Sequence, residues 1–551
     1  MKNKWSSKQI AIVSAVAVLI FIFGIGLFST KYTELTEAPM GEADGKAGIT
    51  AITTGDQEVA RAIPNDGIFT MITRSMGSNI NPIFASREGE KLVVDIVFEP
   101  LARRDKDGVM QPILAKEITY SEDRKTITVK IDTEILFSDG TPINVQDVEL
   151  SLLLALLTDT VGTHYVAGRV DLLAGNTASL SGIQSIDQET IQITFSDYDI
   201  RNEQILEIPI QKGQSFDFSA SDLEAYTNEL LGIGIGTNAY CVVHNTATEV
   251  YLVPNEHYRE EILSIDDIRV FDQNIVDVEA MLADQVIDYI YFEAQNTMLN
   301  IFLEDERYAV YGKETDTVLG LVVNDSSVPM KNYYIRQAIY EGIDRQELLP
   351  TQHWYRYKPT SSVITGHGYL SAVEQLEGDI TAAKADFNKG INGLGMEEFY
   401  LTLPIIQGNA LYETVGEGVE KELSDVGFHV TVKPRSTEAY IDSLYLTNDY
   451  DLYLDEVVVP ATKEGYETFA IEYFTTFPTT FDQVWEDIAK AVTEEEKIAA
   501  YEAAENMMQE HSTFIPVARS QNFIGIAASW EGFSITPYTD APEDLHKTIY
   551  E

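Results

Sequence analysis

From residue 66 onward, apolar positions alternate between a period of two and a period of three to four, and this rhythm lays out the elements. The stretch GIFTMITRS (67–75) is β-branched and aromatic and predicts a strand. KLVVDIVFEPL, from Lys91, predicts a helix. TITVKID (126–132) alternates cleanly and predicts a strand, and IDQETIQITF, from Ile186, predicts a hairpin ending in another. A strand opens YLVPNEHY, and VEAMLADQVIDYIYF reads as a helix running into a strand. GLVVNDSSV, from Gly320, predicts a strand and loop, and YYIRQAIYEGIDRQELL one helix ending near Leu349. FYLTLPII, ALYETVGEGVEKELSDVG and FHVTVKP form a strand, a long helix and a strand, the order of a parallel β-α-β unit. YDLYLDEVVV predicts a further strand and EEKIAAYEAAENMMQEH an amphipathic helix. No short period repeats, so solenoids and propellers are excluded.

One segment is ordered with particular economy. In FSDGTPINVQDVELSL (137–152), Asp139 and Gly140 suit a turn and Pro142 ends any strand. Asn144 is placed to accept from the free N–H groups of a following helix, with the Asp147 carboxylate three residues on at its positive end. Val148, Leu152 and Leu156 then recur at helical spacing. The physics predicts a strand, a turn and a capped helix on a core.

Residues 10–28, IAIVSAVAVLIFIFGIGLF, are 19 residues without a charge, close to the roughly 20 that span a bilayer as a helix. Lys2, Lys4 and Lys8 precede them, which puts the N-terminus in the cytoplasm and the rest of the chain outside. The run is long for a cleaved signal, and no Ala-x-Ala follows it, so an uncleaved signal anchor is the reading preferred over a signal peptide. No cysteine follows to carry a lipid. Residues 29–63, rich in Thr, Gly, Ala and Glu, read as a flexible spacer.

Composition narrows function. The 551 residues are enough for two or more domains, and 44% are hydrophobic, enough for a sizeable core. The 88 acidic residues outweigh 38 basic ones, for a net charge of −50. That excludes a nucleic-acid surface, which needs basic stripes, and electrostatic docking to anionic lipid. The lone cysteine, Cys241 in AYCVV, reads as a buried strand position. The eight scattered histidines and the absence of Cys-x-x-Cys imply no metal site and no cofactor. GIGIGT (232–237) has the wrong glycine spacing for a dinucleotide loop, and no Gly-x-Ser-x-Gly or Walker motif occurs. An enzyme is not indicated.

A series of segments, in order, resembles family 5 extracellular solute-binding proteins, the oligopeptide- and dipeptide-binding components of ABC importers. NPIFASREGEKLVVDIVFEPLARRD resembles the family's opening segment, and FSDGTPINVQDVELSL its signature of an aromatic, Asp-Gly-Thr-Pro and Asp-Val. IQSIDQETIQITF, GIGTNAYCVV, LVPNEHYREE and GLVVNDSSVPMKNYYIRQAIYEGIDRQELL resemble later motifs, over about 66–551. The resemblance implies an α/β, two-lobed periplasmic-binding-protein-like fold (type II, cluster C) with an extra inserted domain, here preceded by a transmembrane helix. Lobe 1 would comprise 64–98, 232–316 and 513–551, the inserted domain 99–231 and lobe 2 residues 317–512, with ligand held between the lobes.

The resemblance also suggests site residues. Asn81 and Asn324 are motif positions near the hinge, each able to bond ligand or to fix a turn, and Tyr240 closes the GIGTNAY loop. Trp354, Tyr355 and Arg356 join aromatic faces to a guanidinium, which suits a ring or carboxylate. Relatives meet a peptide ammonium with an Asp in Gly-Trp-x-x-Asp after a Tyr-Asp-Leu strand. Here Val457 replaces the Trp and Pro460 the Asp, while Asp455 and Glu456 lie just before. Strand alternation sends those two acids to opposite faces. The implied partners are a small peptide or peptide-like solute and ABC permease subunits. A sensor using the same cleft, or a non-peptide solute, is the alternative.

Overall fold

The computed structural model describes residues 49–551 except 56–66, 106–107, 158–162, 175, 177–179, 214–233, 294–295, 327–328, 350–355, 365–374, 461–462, 537 and 551. The apolar run 10–28 lies outside these. Among the described residues no helix is long and apolar enough to cross a membrane.

In chain order, β1 (Ile49–Thr53) and β2 (Ile68–Thr73) precede the small strands β3 (Ala102–Arg104) and β4 (Met110–Pro112). Next come β5 (Ala115–Tyr120), β6 (Thr126–Ile131), β7 (Ile183–Ser185) and β8 (Thr190–Thr194). The chain returns with β9 (Tyr240–Asn245), β10 (Glu249–Pro254), β11 (Asp267–Asp272), β12 (Tyr289–Phe292) and the long β13 (Tyr308–Val323). The last group is β14 (Tyr357–Pro359), β15 (Tyr400–Ile406), β16 (His429–Arg435), β17 (Leu452–Val458) and β18 (Phe514–Ala527). One ten-stranded sheet runs β1-β13-β18-β12-β2-β11-β10-β9, with β17 on β13 and β14 on β18.

Two cores share that sheet through β13 and β18. Tyr308, Val310, Phe523 and Ile526 belong to a core with β2, β11 and the helix Glu88–Val97. Leu319, Leu321, Ile515 and Val517 belong to a second with β15, β17 and the helix Ala410–Val426. On the other face of that half, Val318, Val322 and Phe514 pack on the aromatic residues of 466–485. The ladder runs regularly from Tyr308↔Ala527 to Glu314↔Gln521 and resumes at Val318↔Arg519, so β13 carries extra residues at the passage between the cores.

The predicted β-α-β unit is present: β15 and β16 pair in parallel, and Ala410–Val426 crosses between them. A third core gathers β5–β8 and the helix Val145–Leu157. The Asp139–Gly140 turn closes on itself: Gly140 N–H donates to the Phe137 carbonyl (2.8 Å), with Gly140 at φ 80°. Asn144 Oδ1 accepts from Gln146 N–H (2.9 Å), and Asp147 Oδ2 accepts from Asn144 N–H (3.0 Å), a reciprocal cap. The segment also makes a seam. Ser138 N–H donates to the Gly236 carbonyl (2.9 Å), and Asp147 Oδ1 accepts from Gly213 N–H (2.6 Å). Across the molecule, the helix Phe481–Lys490 rests on the 3-10 helix Ile200–Glu207, so the far half touches the third body.

Three local expectations change. Residues 49–53, expected within a flexible spacer, form an edge strand on β13, where Thr53 Oγ1 accepts from Val310 N–H (3.0 Å). The single helix expected over 333–349 is two, Tyr333–Gly342 and Arg345–Leu348, because Asp344 caps the second through Gln346 and Glu347 N–H (3.0 Å each). Cys241 is in a strand as expected but only half-buried; partial burial pushes its thiol up.

A Cβ at Gly236 would collide with the Val97 carbonyl oxygen. Gly236→Ala is therefore expected to lower unfolding free energy by about 1–3 kcal/mol, measured by urea denaturation; an unchanged midpoint would contradict this account of the seam.

Candidate functional site

The break in the β13–β18 ladder is a polar crossing. Thr315 Oγ1 bonds Ser520 Oγ (2.5 Å) and accepts from Thr317 N–H (3.1 Å). Arg519, almost fully buried, donates to the Thr315 carbonyl (3.2 Å) and to the Ser362 and Ile364 carbonyls (3.3 and 3.2 Å). Glu314 accepts from Lys358 Nζ (2.5 Å) and lies 3.9 Å from Arg519 Nε. Chain ends and bulges are where a sheet can re-aim side chains, and here the re-aimed segment separates two independent cores.

Asp455 and Glu456, on β17 one strand away, face opposite sides as alternation requires. Glu456 accepts from Tyr357 Oη (3.3 Å), and Asp455 from its own following Glu456 N–H (2.9 Å) and from Tyr473 Oη (3.5 Å). Burial pushes the Asp455 carboxyl up to about 6 and the Glu456 carboxyl up to about 7, only partly offset by those hydrogen bonds. Among the described residues no cation acts on either group. Asp455 instead sits amid tyrosines: its charge raises Tyr440, Tyr445, Tyr453 and Tyr473, though burial is the larger cause in each. Tyr445 is 53% exposed and Leu446 76%, so this acid–tyrosine group opens to solvent. Such a group suits a cation, which carboxylate charge and aromatic faces both attract.

Other predicted site residues have structural work. Asn81 is buried: its amide donates to Gln211 Oε1 (2.9 Å), its Oδ1 accepts from Ile83 N–H (3.0 Å), and its carbonyl from Phe84 and Ala85 N–H. Asn324 donates to the Tyr450 carbonyl (2.8 Å) and accepts from Ser326 N–H (3.0 Å), tying the end of β13 to the approach of β17. Both fix turns. Tyr240 is core, its hydroxyl donating to the Ile265 carbonyl (3.1 Å). Arg356 is buried and donates to Asn300 Oδ1 (3.3 Å), while its carbonyl accepts from Gln521 N–H at the crossing (3.0 Å). Trp354 and Tyr355 lie outside the described residues. Sequence reading missed Glu314, Lys358 and Arg519, whose only signal was charge inside otherwise strand-like runs.

The sequence model of the bacterial extracellular solute-binding proteins, family 5, middle region, matches residues 109–480. The chain belongs to that family. The nickel-binding periplasmic protein of Escherichia coli (strain K12) is 32% identical over 77 residues, 14% of this chain and 15% of that protein. The ABC transporter substrate-binding protein CtaP of Listeria monocytogenes superposes with TM-score 0.63 at 19% identity, covering 88% of this chain and 100% of that one. The periplasmic murein tripeptide-binding protein MppA, in an unliganded open form, gives TM-score 0.64 at 18% identity, covering 89% and 98%. At such identities these structures share the fold with this member of family 5.

The raised carboxyls fix a pH dependence. On raising the pH, the unfolded chain releases these two protons first, at about 3.8 and 4.5. Between there and about pH 7 the folded state holds more protons, so stability falls as pH rises through that window. Asp455→Asn with Glu456→Gln is expected to flatten the dependence by about 1–2 kcal/mol, discounted for partial exposure, in urea titrations at pH 5 and pH 8. An identical slope in the double variant would refute the assignment.

Proposed function

We propose that this chain captures a small cationic solute, a short peptide or peptide-like molecule, outside the cytoplasm and presents it to an ABC permease without making or breaking bonds. The apolar run 10–28 would tether it as a signal anchor. The observation that supports this best is Asp455, a carboxyl on which no cation acts among the described residues, amid tyrosines beside the crossing of the two cores. A peptide ammonium supplies the missing counter-charge, and its neutralisation of a desolvated acid favours bound over free protein. Closure then follows from the fold: two cores joined by strands whose ladder breaks between them can shut on a guest.

The related names bracket the ligand chemistry. A murein tripeptide and nickel belong to MppA and the Escherichia coli protein respectively. The acid and tyrosine groups here favour the peptide end of that range, and among the described residues no imidazole or thiolate suited to a soft metal acts on Asp455.

Native mass spectrometry of the purified protein is expected to show a co-purified short peptide with a free ammonium. Asp455→Asn should weaken its binding at least tenfold, about 1.4 kcal/mol, N-acetylation of the peptide should do the same, and Glu456→Gln, on the opposite strand face, should weaken it less. A bound metal chelate or sugar would overturn the peptide assignment.

A further inference from the structure

A cavity of about 340 Å³ lies between the end of the helix Glu88–Val97, the β3–β4 hairpin and the C-terminal segment 539–547, and none of the residues lining it belongs to the group around Asp455. Its size falls at the lower end of the roughly 300–1,000 Å³ range of small-molecule pockets. At about 30 Å³ per water, it has room for roughly ten waters, a volume suited to a free amino acid.

Most charges on its wall are matched. Arg259 makes a two-pronged bond to Glu99 (2.7 and 2.8 Å), Arg104 bonds Glu207 (2.6 Å), and Lys547 bonds Asp544 (3.0 Å). His546 meets Glu260 at 3.2 Å. Three groups are left over. Arg103 approaches Glu543 at 3.8 Å, too long for a hydrogen bond, although its side chain is only 18% exposed, and its charge also acts on Asp95 and Glu207. Glu543, 15% exposed, has beyond that only a long bond from Thr536 Oγ1 (3.4 Å). Asp95, partly buried, takes backbone N–H from Asp540 and Ala541 on one oxygen, Oδ2, with Oδ1 left for another donor. Burial pushes Asp95 up to about 6, with the Asp540 charge adding to it, and burial also raises Glu543; the Arg103 charge offsets both only in part.

One guanidinium with free donors and two carboxyls with free acceptors, around one cavity, define the complement of a zwitterion. We propose that this cavity is a second ligand site, distinct from the interlobe cleft, that takes a free α-amino acid: its carboxylate on the Arg103 guanidinium and its ammonium between Asp95 and Glu543. A planar guanidinium suits a carboxylate in two-pronged geometry, and an ammonium supplies the three donors that two under-filled carboxyls can share.

Saturation-transfer NMR on the full chain in detergent tests this, with the twenty α-amino acids, propionate (no ammonium) and ethylamine (no carboxylate) as probes. Transfer to one or more amino acids is expected, with little to propionate or ethylamine. Arg103→Ala should reduce it at least tenfold and Arg103→Lys less, while Asp455→Asn should leave it in place. No transfer to any amino acid, equal transfer to propionate or ethylamine, or transfer lost in Asp455→Asn but kept in Arg103→Ala would each overturn the proposal. If Arg103→Ala melts below the measuring temperature, the wild-type comparison of amino acids with the two half-molecules decides alone.

Discussion

The structure depends on one pair of strands. β13 and β18 are antiparallel neighbours over most of their length, yet each belongs to two hydrophobic cores. Within the first core the pairing is regular, within the second it shifts once more between Leu319 and Gly320, and in both the packed side chains are apolar. Between Glu314 and Val318 the ladder loses register, and the apolar residues give way to Glu314, Thr315, Asp316 and Thr317. A stretch without core contacts or continuous ladder bonds is where local opening is cheapest. The same four residues that interrupt the ladder supply the polar groups of the crossing, so both arise from one sequence feature.

Charge is arranged on the same logic. A surface of net charge −50 keeps its acids in water, where they cost little. Some partly buried acids are matched by a cation: Glu99 by Arg259, Glu314 by Lys358, Glu207 by Arg104. Others, Glu341, Glu422 and Glu472 among them, are raised by burial, and so are Asp455 and Glu456 on β17, where opposite strand faces place one among the aromatics of 466–485 and the other towards Tyr357. A desolvated acid without a cation destabilises the protein in its charged form, so under the proposed function a cationic guest would recover that stability.

How much of this was legible depended on how local the cause was. The turn and cap of FSDGTPINVQDV are set by residues within four of one another, and the reciprocal Asn144–Asp147 bonds appear where the sequence placed them. The β-α-β unit over 400–435 was legible because each element carries its own period and the crossover is short. β13 was legible only in its apolar C-terminal part: YGKETDT reads as a loop in isolation and is held extended by β1, β17 and β18, which are distant in sequence. The site divided the same way. Asp455 and Glu456 were visible as paired acids at a strand end. That Asn81 and Asn324 spend their amides on Gln211 and Tyr450 is decided 130 and 126 residues away, beyond the reach of local patterns.

The inserted body is positioned by the motif that first marks it. Ser138 reaches Gly236 where the chain returns, Asp147 holds Gly213, and Gln211 in turn bonds Asn81 of the opening segment. Three chain crossings are thereby stitched at one point, and the Arg104–Glu207 and Arg259–Glu99 pairs lie along the same seam. The C-terminal segment continues it to the crossing strands: Asp95 takes the Asp540 N–H, and Lys313 on β13 donates to the Thr539 carbonyl and the Asp540 carboxylate. These bonds tie the inserted body to the first core, and its contact with the helix Phe481–Lys490 joins it to the far half across the Glu314–Val318 break, so the two halves meet both through the crossing strands and through this helix pair.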